Sequence, residues 1–268
     1  MGLVQAERRA QPRYGGKKVY KAIAPKIREE GIRCGRDRLF DLLRGENMLV
    51  RKKKSYSRTT NSYHKFRKHK NLLKDLQVTM PEQANVSDIT YIPTDFGRLY
   101  LYLITDYYSK RIMGYHLSDN LKTDSAIVAL KMAIKNRQYP NRPLIHHSDR
   151  GFQYCDPRYT EILERNGIQI SMTTRYDPYE NAVAERVNGI LKDEFEVGSM
   201  KGTEKEVRRE IKRAIGVYNT KRMHMSCEYM TPEQAHKNGR YALKKWRKRF
   251  SSNPAGFDEN LSLVLNQI

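Results

Sequence analysis

A short apolar run that halts on a carboxylate, Pro143-Leu-Ile-His-His-Ser-Asp-Arg-Gly151, constrains this chain more than any other feature. A brief apolar run closed by turn-forming polar residues reads as a buried strand. A carboxylate delivered at its end lies where open α/β sheets place their sites. Between Asp149 and Glu185 lie 35 residues. They hold a helix over 156–167, a strand over 168–174 and a loop, before Glu185 arrives inside a helical pattern over about 180–196. Upstream, Asp88 in Ser87-Asp-Ile-Thr-Tyr-Ile92 opens a strand of alternating character. Two carboxylates at strand positions and a third on a helix are what a site for two divalent metal ions needs, because such hard cations take oxygen ligands.

The rest of the chain supplies a sheet to carry them. Residues 87–94, 98–107 and 111–118 are three β runs, joined by Thr94-Asp-Phe-Gly97 and by Ser109-Lys110, which makes a three-stranded meander. Asp106, at the end of the second run, reads as a turn residue. A helix over 124–137 follows, with Ile127, Leu130 and Ile134 at helical spacing and Thr123 as its N-cap. With the strand ending at Asp149, the helix from Pro157 and the strand at 168–174, the order is βββαβαβα. That order predicts an α/β core with a mixed five-stranded sheet and helices on both faces. On the helix over 180–196, Asn181, Glu185, Asn188 and Lys192 form one polar stripe, while Val183, Val187, Ile190 and Leu191 lie around the opposite side.

Charge then selects a partner. The formal net charge is +21 and the pI about 9.8, so an anionic partner is expected, and nucleic acid fits best. Residues 1–80 hold 22 Lys and Arg against 7 Asp and Glu, a net +15. They read as a basic module over 1–50 and a basic linker over 51–80, ahead of a core over 81–198 and a basic helical extension over 199–268. In the module, Val19, Ile23 and Ile27 mark one helix, Gly31 a turn, and Leu39, Leu42 and Leu43 the apolar face of a second helix. Two short helices coated with Lys17, Lys18, Arg36 and Arg38 suit either a helix-turn-helix or a hairpin packed on the core with a solvated basic face. The linker, with Arg51, Lys52, Lys53 and Lys54, is expected to be extended and to order on DNA. Cys34, Cys155 and Cys227 are widely spaced and read as reduced thiols. There is no apolar leader and no 18-residue apolar run, so the expected place is the cytoplasm, associated with the nucleoid, and not a membrane.

At this point the residues reach a known family. Asp88-Ile-Thr-Tyr-Ile, His147-Ser-Asp-Arg-Gly-Phe-Gln-Tyr, Ser171-Met-Thr, Pro178-Tyr-Glu-Asn-Ala and Leu191-Lys-Asp-Glu resemble the catalytic frame of OrfB-type insertion-sequence transposases of the IS-three family. The resemblance runs from about residue 12 to 238. It implies a retroviral-integrase-like core of ribonuclease H-like fold that cuts and joins DNA strands. Asp88, Asp149 and Glu185 would be its catalytic metal ligands, with two Mg²⁺ ions, or Mn²⁺ in their place. It also implies DNA contacts from Asn188, Lys192 and Arg150, a homo-oligomer on DNA that engages transposon ends and target, and help from the product of an upstream reading frame. Two departures stand out. A Trp usually precedes the first catalytic Asp, where this chain has Asn85-Val-Ser, and Tyr176-Asp-Pro-Tyr-Glu-Asn-Ala places Tyr176 where the family usually has Gly. Two other readings use the same residues. One is a DNA-binding protein without catalysis, against which the intact carboxylate triad speaks. The other is a nuclease that only hydrolyses, which has no need for so much basic surface outside its core.

Overall fold

The computed structural model describes residues 1–50, 65–74, 76–174, 180–238 and 241. The expected contacts Arg51, Lys52, Lys53 and Lys54, the departure at Tyr176 and the basic tail beyond residue 241 lie outside the described residues. Five strands, β1 (Ala84–Thr94), β2 (Gly97–Asp106), β3 (Ile112–Ser118), β4 (Leu144–Ser148) and β5 (Ile168–Met172), form one sheet in the order β3-β2-β1-β4-β5. The first three are antiparallel neighbours, with Thr94 opposite Gly97 at the first turn. β4 and β5 run parallel to β1, with Val86 beside His147 and Ser148 beside Met172. Gly97 turns at φ +126°, a conformation that side chains disfavour, so the tight hairpin needs glycine there. Asn85 and Ser87, in the segment where the family usually carries Trp, are buried in β1 and paired into the sheet.

Period-two alternation in β2 sends Leu101 and Leu103 to one face and Tyr102 and Ile104 to the other. Each face then recruits helices. Against the first lie Val187, Ile190 and Leu191 of α7 (Ala182–Glu194) and Val207, Ile211 and Ile215 of α8 (Glu204–Thr220). Against the second lie Ala126, Ala129, Leu130 and Ala133 of α4 (Thr123–Lys135) and Tyr159 and Leu163 of α6 (Pro157–Arg165). The sheet is mixed and covered on both faces, as the element order predicts, and this is the ribonuclease H-like arrangement. α8, from the segment read as an extension, belongs to the main core. Thr123 does not cap α4: Lys122 holds that position, and the Thr123 hydroxyl donates to Asp156 at 2.8 Å.

Among the described glycines, the least room for a side chain is at Gly114 of β3. A Cβ there would stand 2.2 Å from the Ala129 carbonyl oxygen and 2.6 Å from the Ala133 amide nitrogen, both α4 backbone, which no rotamer can move aside. Gly114→Ala is therefore expected to force α4 off the sheet and cost at least about 3 kcal/mol, the upper end of ordinary overpacking. Urea denaturation of the variant checks it, and a destabilisation under about 1 kcal/mol, the low end of that range, would mean the helix yields freely.

The N-terminal residues build a second small core. α2 (Gly16–Glu29) and α3 (Arg36–Gly45) form as their apolar spacing predicts, with Val19, Ile23, Ile27, Leu39 and Leu43 buried together. Leu42, read as part of that face, is 45% exposed. A helix the apolar pattern does not announce, α1 (Gly2–Ala10), adds Val4 to the cluster. The module docks on the core through polar contacts: Arg13 N donates to the Glu194 carbonyl (3.0 Å), and the buried Tyr14 hydroxyl accepts from Met223 N (3.2 Å). Part of the expected linker is also laid down on the core. Met172 N donates to the Lys70 carbonyl (3.2 Å), and Leu72 N to the Ser171 hydroxyl (2.8 Å), so residues 70–72 run along the open side of β5.

Candidate active site

Sheet order sets Asp88 and Asp149 on adjoining strands, and α7 carries Glu185 on the face it turns to β1. Asp88 sits within the central strand, and because β4 lies parallel beside β1, Asp149 leaves the end of β4 next to it. The backbone of the following turn closes on Asp149: Gly151 N donates to its Oδ1 at 2.9 Å. A Cβ on residue 151 would stand 3.0 Å from that same oxygen, so the turn wants glycine. α7 delivers the third group. Asn181, its N-cap residue, donates through Nδ2 to the Ser87 carbonyl at 3.0 Å, and Asn188 donates to Asp88 Oδ2 at 2.8 Å. Residues three and four apart share a helix face, so Glu185, between these two anchors, is carried on the face turned to β1 while remaining exposed to solvent.

The charges of the three sense one another. Asp88 is half-buried, and enough of its carboxyl is enclosed that burial first, and then the neighbouring charge of Asp149, push it up to about 7; Asn188 and the Ile89 amide oppose the rise, and Glu185 adds to it. Burial raises the phenol of Tyr154 too, with the charges of Tyr159, Asp149 and Asp88 behind it. The Lys192 ammonium is lowered by burial and drawn back up by Asp88. Among the described residues, no three His, Cys, Asp or Glu side chains are grouped closely enough to hold a metal ion as they stand. Asp88, Asp149 and Glu185 offer carboxylate oxygens, the hard donors that a divalent cation such as Mg²⁺ takes alongside water and substrate phosphates. A carboxyl destabilised by two like charges is a place short of positive charge, and a divalent cation supplies it.

The adjoining histidines have another task. His146 shares hydrogen bonds with the Ser87 hydroxyl and the Tyr159 hydroxyl, both 2.9 Å, and His147 Nδ1 pairs with the Ser171 hydroxyl at 2.8 Å. Burial lowers them to about 3 and about 4, so both are neutral braces between strands.

Several expected DNA contacts are placed differently. Asn188 is 5% exposed and committed to Asp88, so it positions a carboxylate rather than meeting a phosphate. Lys18 faces inward: its ammonium lies 3.1 Å from Glu194, which Arg222 also grips at 2.8 Å, and burial lowers Lys18 to about 8. Arg36 is exposed and pairs with Asp37 at 2.8 Å; Lys17 and Arg38 are exposed on the module's outer face. Arg150 and Lys192 are half-buried beside the carboxylates. Asp106, read as a turn residue, does hold its turn, accepting from Ser109 N (2.7 Å) and the Ser109 hydroxyl (2.6 Å). It also accepts from Glu82 N (2.7 Å) and is fully buried. Spacing does not single out Glu194 and Arg222, because an ion pair between a helix end and a distant loop leaves no local pattern.

Comparison with known proteins agrees with this geometry. Two family models described as integrase core domain match residues 78–178 and 166–232. A protein of 31 kDa from the insertion element IS600 of Shigella sonnei is 34% identical over 226 residues, covering 84% of this chain and 81% of its own. The transposase InsF of insertion sequence IS3A from Escherichia coli K12 is 31% identical over 239 residues, covering 87% and 80%. Among solved structures, the simian T-cell lymphotropic virus intasome in complex with PP2A regulatory subunit B56 gamma superposes with a TM-score of 0.52 at 16% identity, over 87% of this chain and 79% of that one. The fold and the family models together define an integrase-type core, the catalytic unit of a polynucleotidyl transferase. The chain belongs to the IS3-type DDE transposases of insertion sequences, whose function is transposition and DNA integration.

Proposed function

We propose that Asp88, Asp149 and Glu185 are the catalytic carboxylates of this transposase and that together they hold two Mg²⁺ ions, with Mn²⁺ able to replace them. The observation that supports the reading is the register: Asp88 lies in β1, Asp149 follows the end of the adjoining parallel β4, and Asn181 and Asn188 tie the α7 face that carries Glu185 to β1. When bound, such a metal pair activates the attacking oxygen and stabilises the leaving oxygen of an in-line phosphoryl displacement. The protein's own part is positional. Asn188 fixes the Asp88 carboxylate, the Gly151 amide fixes that of Asp149, and Asn181 ties the start of α7 to β1 so that Glu185 is presented across from them. Lys192, two turns beyond Glu185, and Arg150, next to Asp149, are cations placed to meet the phosphates of a bound strand. The DNA handled would be the element's ends and then a target, by a homo-oligomer assisted by the product of an upstream frame. The test is a strand-joining assay on flanking DNA ends with Mg²⁺: joined product supports the reading, and cutting without joining would reduce the protein to a nuclease.

Metal occupancy has a readout apart from activity. A ligand that binds only the folded state raises the melting temperature, so millimolar Mg²⁺ should raise it for the native chain and not for Asp88→Asn. Equal shifts in the two proteins would remove Asp88 from the metal site.

For DNA binding, the outer face of the module is the expected source. Lys17→Gln, Arg36→Gln and Arg38→Gln combined should weaken DNA binding and flatten its dependence on salt, the log-log slope falling by about 0.9 for each phosphate left unneutralised. Lys18→Gln should leave that slope unchanged, since Lys18 serves Glu194. A triple variant with the native slope would take the module out of the DNA-binding surface.

A further inference from the structure

One aromatic pair lies outside the four apolar clusters of the described residues. Phe152, three residues after Asp149 in the short helix α5 (Phe152–Cys155), is 44% exposed. Its ring lies 5.0 Å from that of Phe66, tilted by 44°, and Phe66 comes from the segment expected to be a tether. Around Phe66 stand Lys65, Arg67, Lys68 and Lys70, all exposed. Lys68 acts on the same side chain as Asp149 and Arg150. The Cys155 thiol, raised to about 11 mainly by burial, feels the charge of Asp149 pushing it further up and those of Lys68 and Arg150 holding it down. The backbone bond from Met172 N to the Lys70 carbonyl and the bond from Leu72 N to the Ser171 hydroxyl keep the segment on this edge of the sheet.

Exposed apolar rings bordered by cations are how proteins hold unpaired nucleic-acid strands: the base stacks on the ring, and the backbone follows the positive charge. We propose that Phe152 and Phe66, with the basic stretch 65–70, form a platform that takes an unstacked nucleotide of DNA and so positions the strand that reacts at Asp149. The proposal rests on the assignment of Asp149 to the active site. A duplex with all bases stacked presents no free base face to this platform, so its ligand is an unpaired end or a locally opened step, from either the element's end or the target.

The test uses the full chain with metal chelated, so that no chemistry occurs. Binding is measured to two labelled duplexes of equal length, one blunt and one with three unpaired 3′ nucleotides. The native protein should prefer the unpaired end. Phe152→Ala should reduce that preference roughly five- to hundredfold, the range for removing one base–aromatic stack. Phe152→Tyr should restore it, and blunt-duplex affinity should be the same in all three. An unchanged preference in Phe152→Ala overturns the platform. So does an equal weakening on both duplexes with a lowered melting temperature, which would make the ring pair a staple for residues 65–74. Strand joining with Mg²⁺ then separates the two sources: abasic sites placed in the donor end or in the target should abolish the difference between native and Phe152→Ala in one arm, and abolition in neither arm refutes the proposal. Asp149→Asn run alongside keeps the two claims apart. If that variant joined strands the catalytic assignment would fail, while the metal-free preference for an unpaired end would stand or fall by itself.

Discussion

Asp149→Asn is expected to give a protein that binds DNA and joins none of it. Asparagine keeps the oxygen that accepts from the Gly151 amide, so the turn after β4 should survive. What goes is one negative charge from a cluster that must hold two divalent cations against a phosphate. Losing several kcal/mol of transition-state stabilisation lowers the rate on the order of a thousandfold, at about 1.4 kcal/mol for each factor of ten. Affinity for DNA comes from Lys and Arg elsewhere and should hold or tighten slightly as a like charge is removed. Asp88→Asn and Glu185→Gln should behave the same way. Asp119, exposed on the loop after β3, supplies the control, and Asp119→Asn should retain full joining. Asp106 cannot serve as that control, because its buried carboxylate accepts three hydrogen bonds and its substitution would disturb the fold. Persistent joining by Asp149→Asn would refute the assignment, and joint failure of joining and DNA binding would give Asp149 a folding role instead.

The second large effect is expected far from the carboxylates, at Glu82. This residue is fully buried and held at φ +60°, a conformation side chains disfavour. Its carboxylate accepts from Arg137 Nε (3.1 Å), Gln138 N (2.6 Å) and Tyr139 N (3.1 Å), and pairs with His236 Nε2 at 3.1 Å. Through His236 the network joins α9 (Pro232–Asn238) to the β2–β3 turn, where His236 Nδ1 meets the Ser109 hydroxyl at 3.0 Å. Glu82→Ala removes the counter-charge of a buried guanidinium, which keeps only the Tyr139 and Arg142 carbonyls, and takes the partner from Arg137 Nε, two amides and His236 Nε2, a destabilisation of about 3–5 kcal/mol. In a chain of this size that lowers the melting temperature by on the order of 10 °C. A change of less than about 1 °C, well under what 1 kcal/mol produces, would show that water replaces the carboxylate.

The same network sets a pH window. Burial acts to raise Glu82, but its bonds to His236, Gln138, Arg137 and Tyr139 win and bring it to about 2, from 4.5. Its stabilising contribution is therefore present above 4.5 and lost as pH falls towards 2. His236 is shifted the other way: burial lowers it, yet Asp106 and Glu82 raise it above 6.5. Its contribution is full below 6.5 and lost as pH climbs through the raised value. Thermal melts across pH should show stability falling on both sides of a plateau, and Glu82→Ala should flatten both flanks.

Why Asp88, Asp149 and Glu185 are legible in sequence and Glu82 is not is a matter of range. A strand that ends in His-Ser-Asp-Arg-Gly and a helix stripe of Asn181, Glu185, Asn188 and Lys192 are local patterns, and the spacing between them fixes how many elements intervene. Glu82, Asp106, Arg137 and His236 are brought together only when the sheet and α9 assemble, so no window of sequence contains them. Asn188 and Lys18 show the same limit in reverse. Each looks like a surface polar group by its neighbours in sequence, and each is claimed by a carboxylate, Asp88 or Glu194, from a distant part of the chain. α1 escapes a reading of periodicity because nine residues with a single buried side chain, Val4, carry too little of it to declare a helix.

The grip of Lys18 and Arg222 on Glu194 bears on how such a protein can be rebuilt. Glu194 is the last residue of α7, an end at which a negative charge meets the negative pole of the helix, so it depends on both cations. A donor module grafted from a relative to redirect the enzyme to other DNA would have to bring a lysine at the position of Lys18, a tyrosine at that of Tyr14 and the backbone of Arg13. Without them it would leave the tail of the helix bearing Glu185 electrostatically unmoored. The unit of exchange is thus the module together with its socket, Glu194, Arg222 and Met223, and chimaeras cut anywhere between residues 50 and 80 divide one from the other.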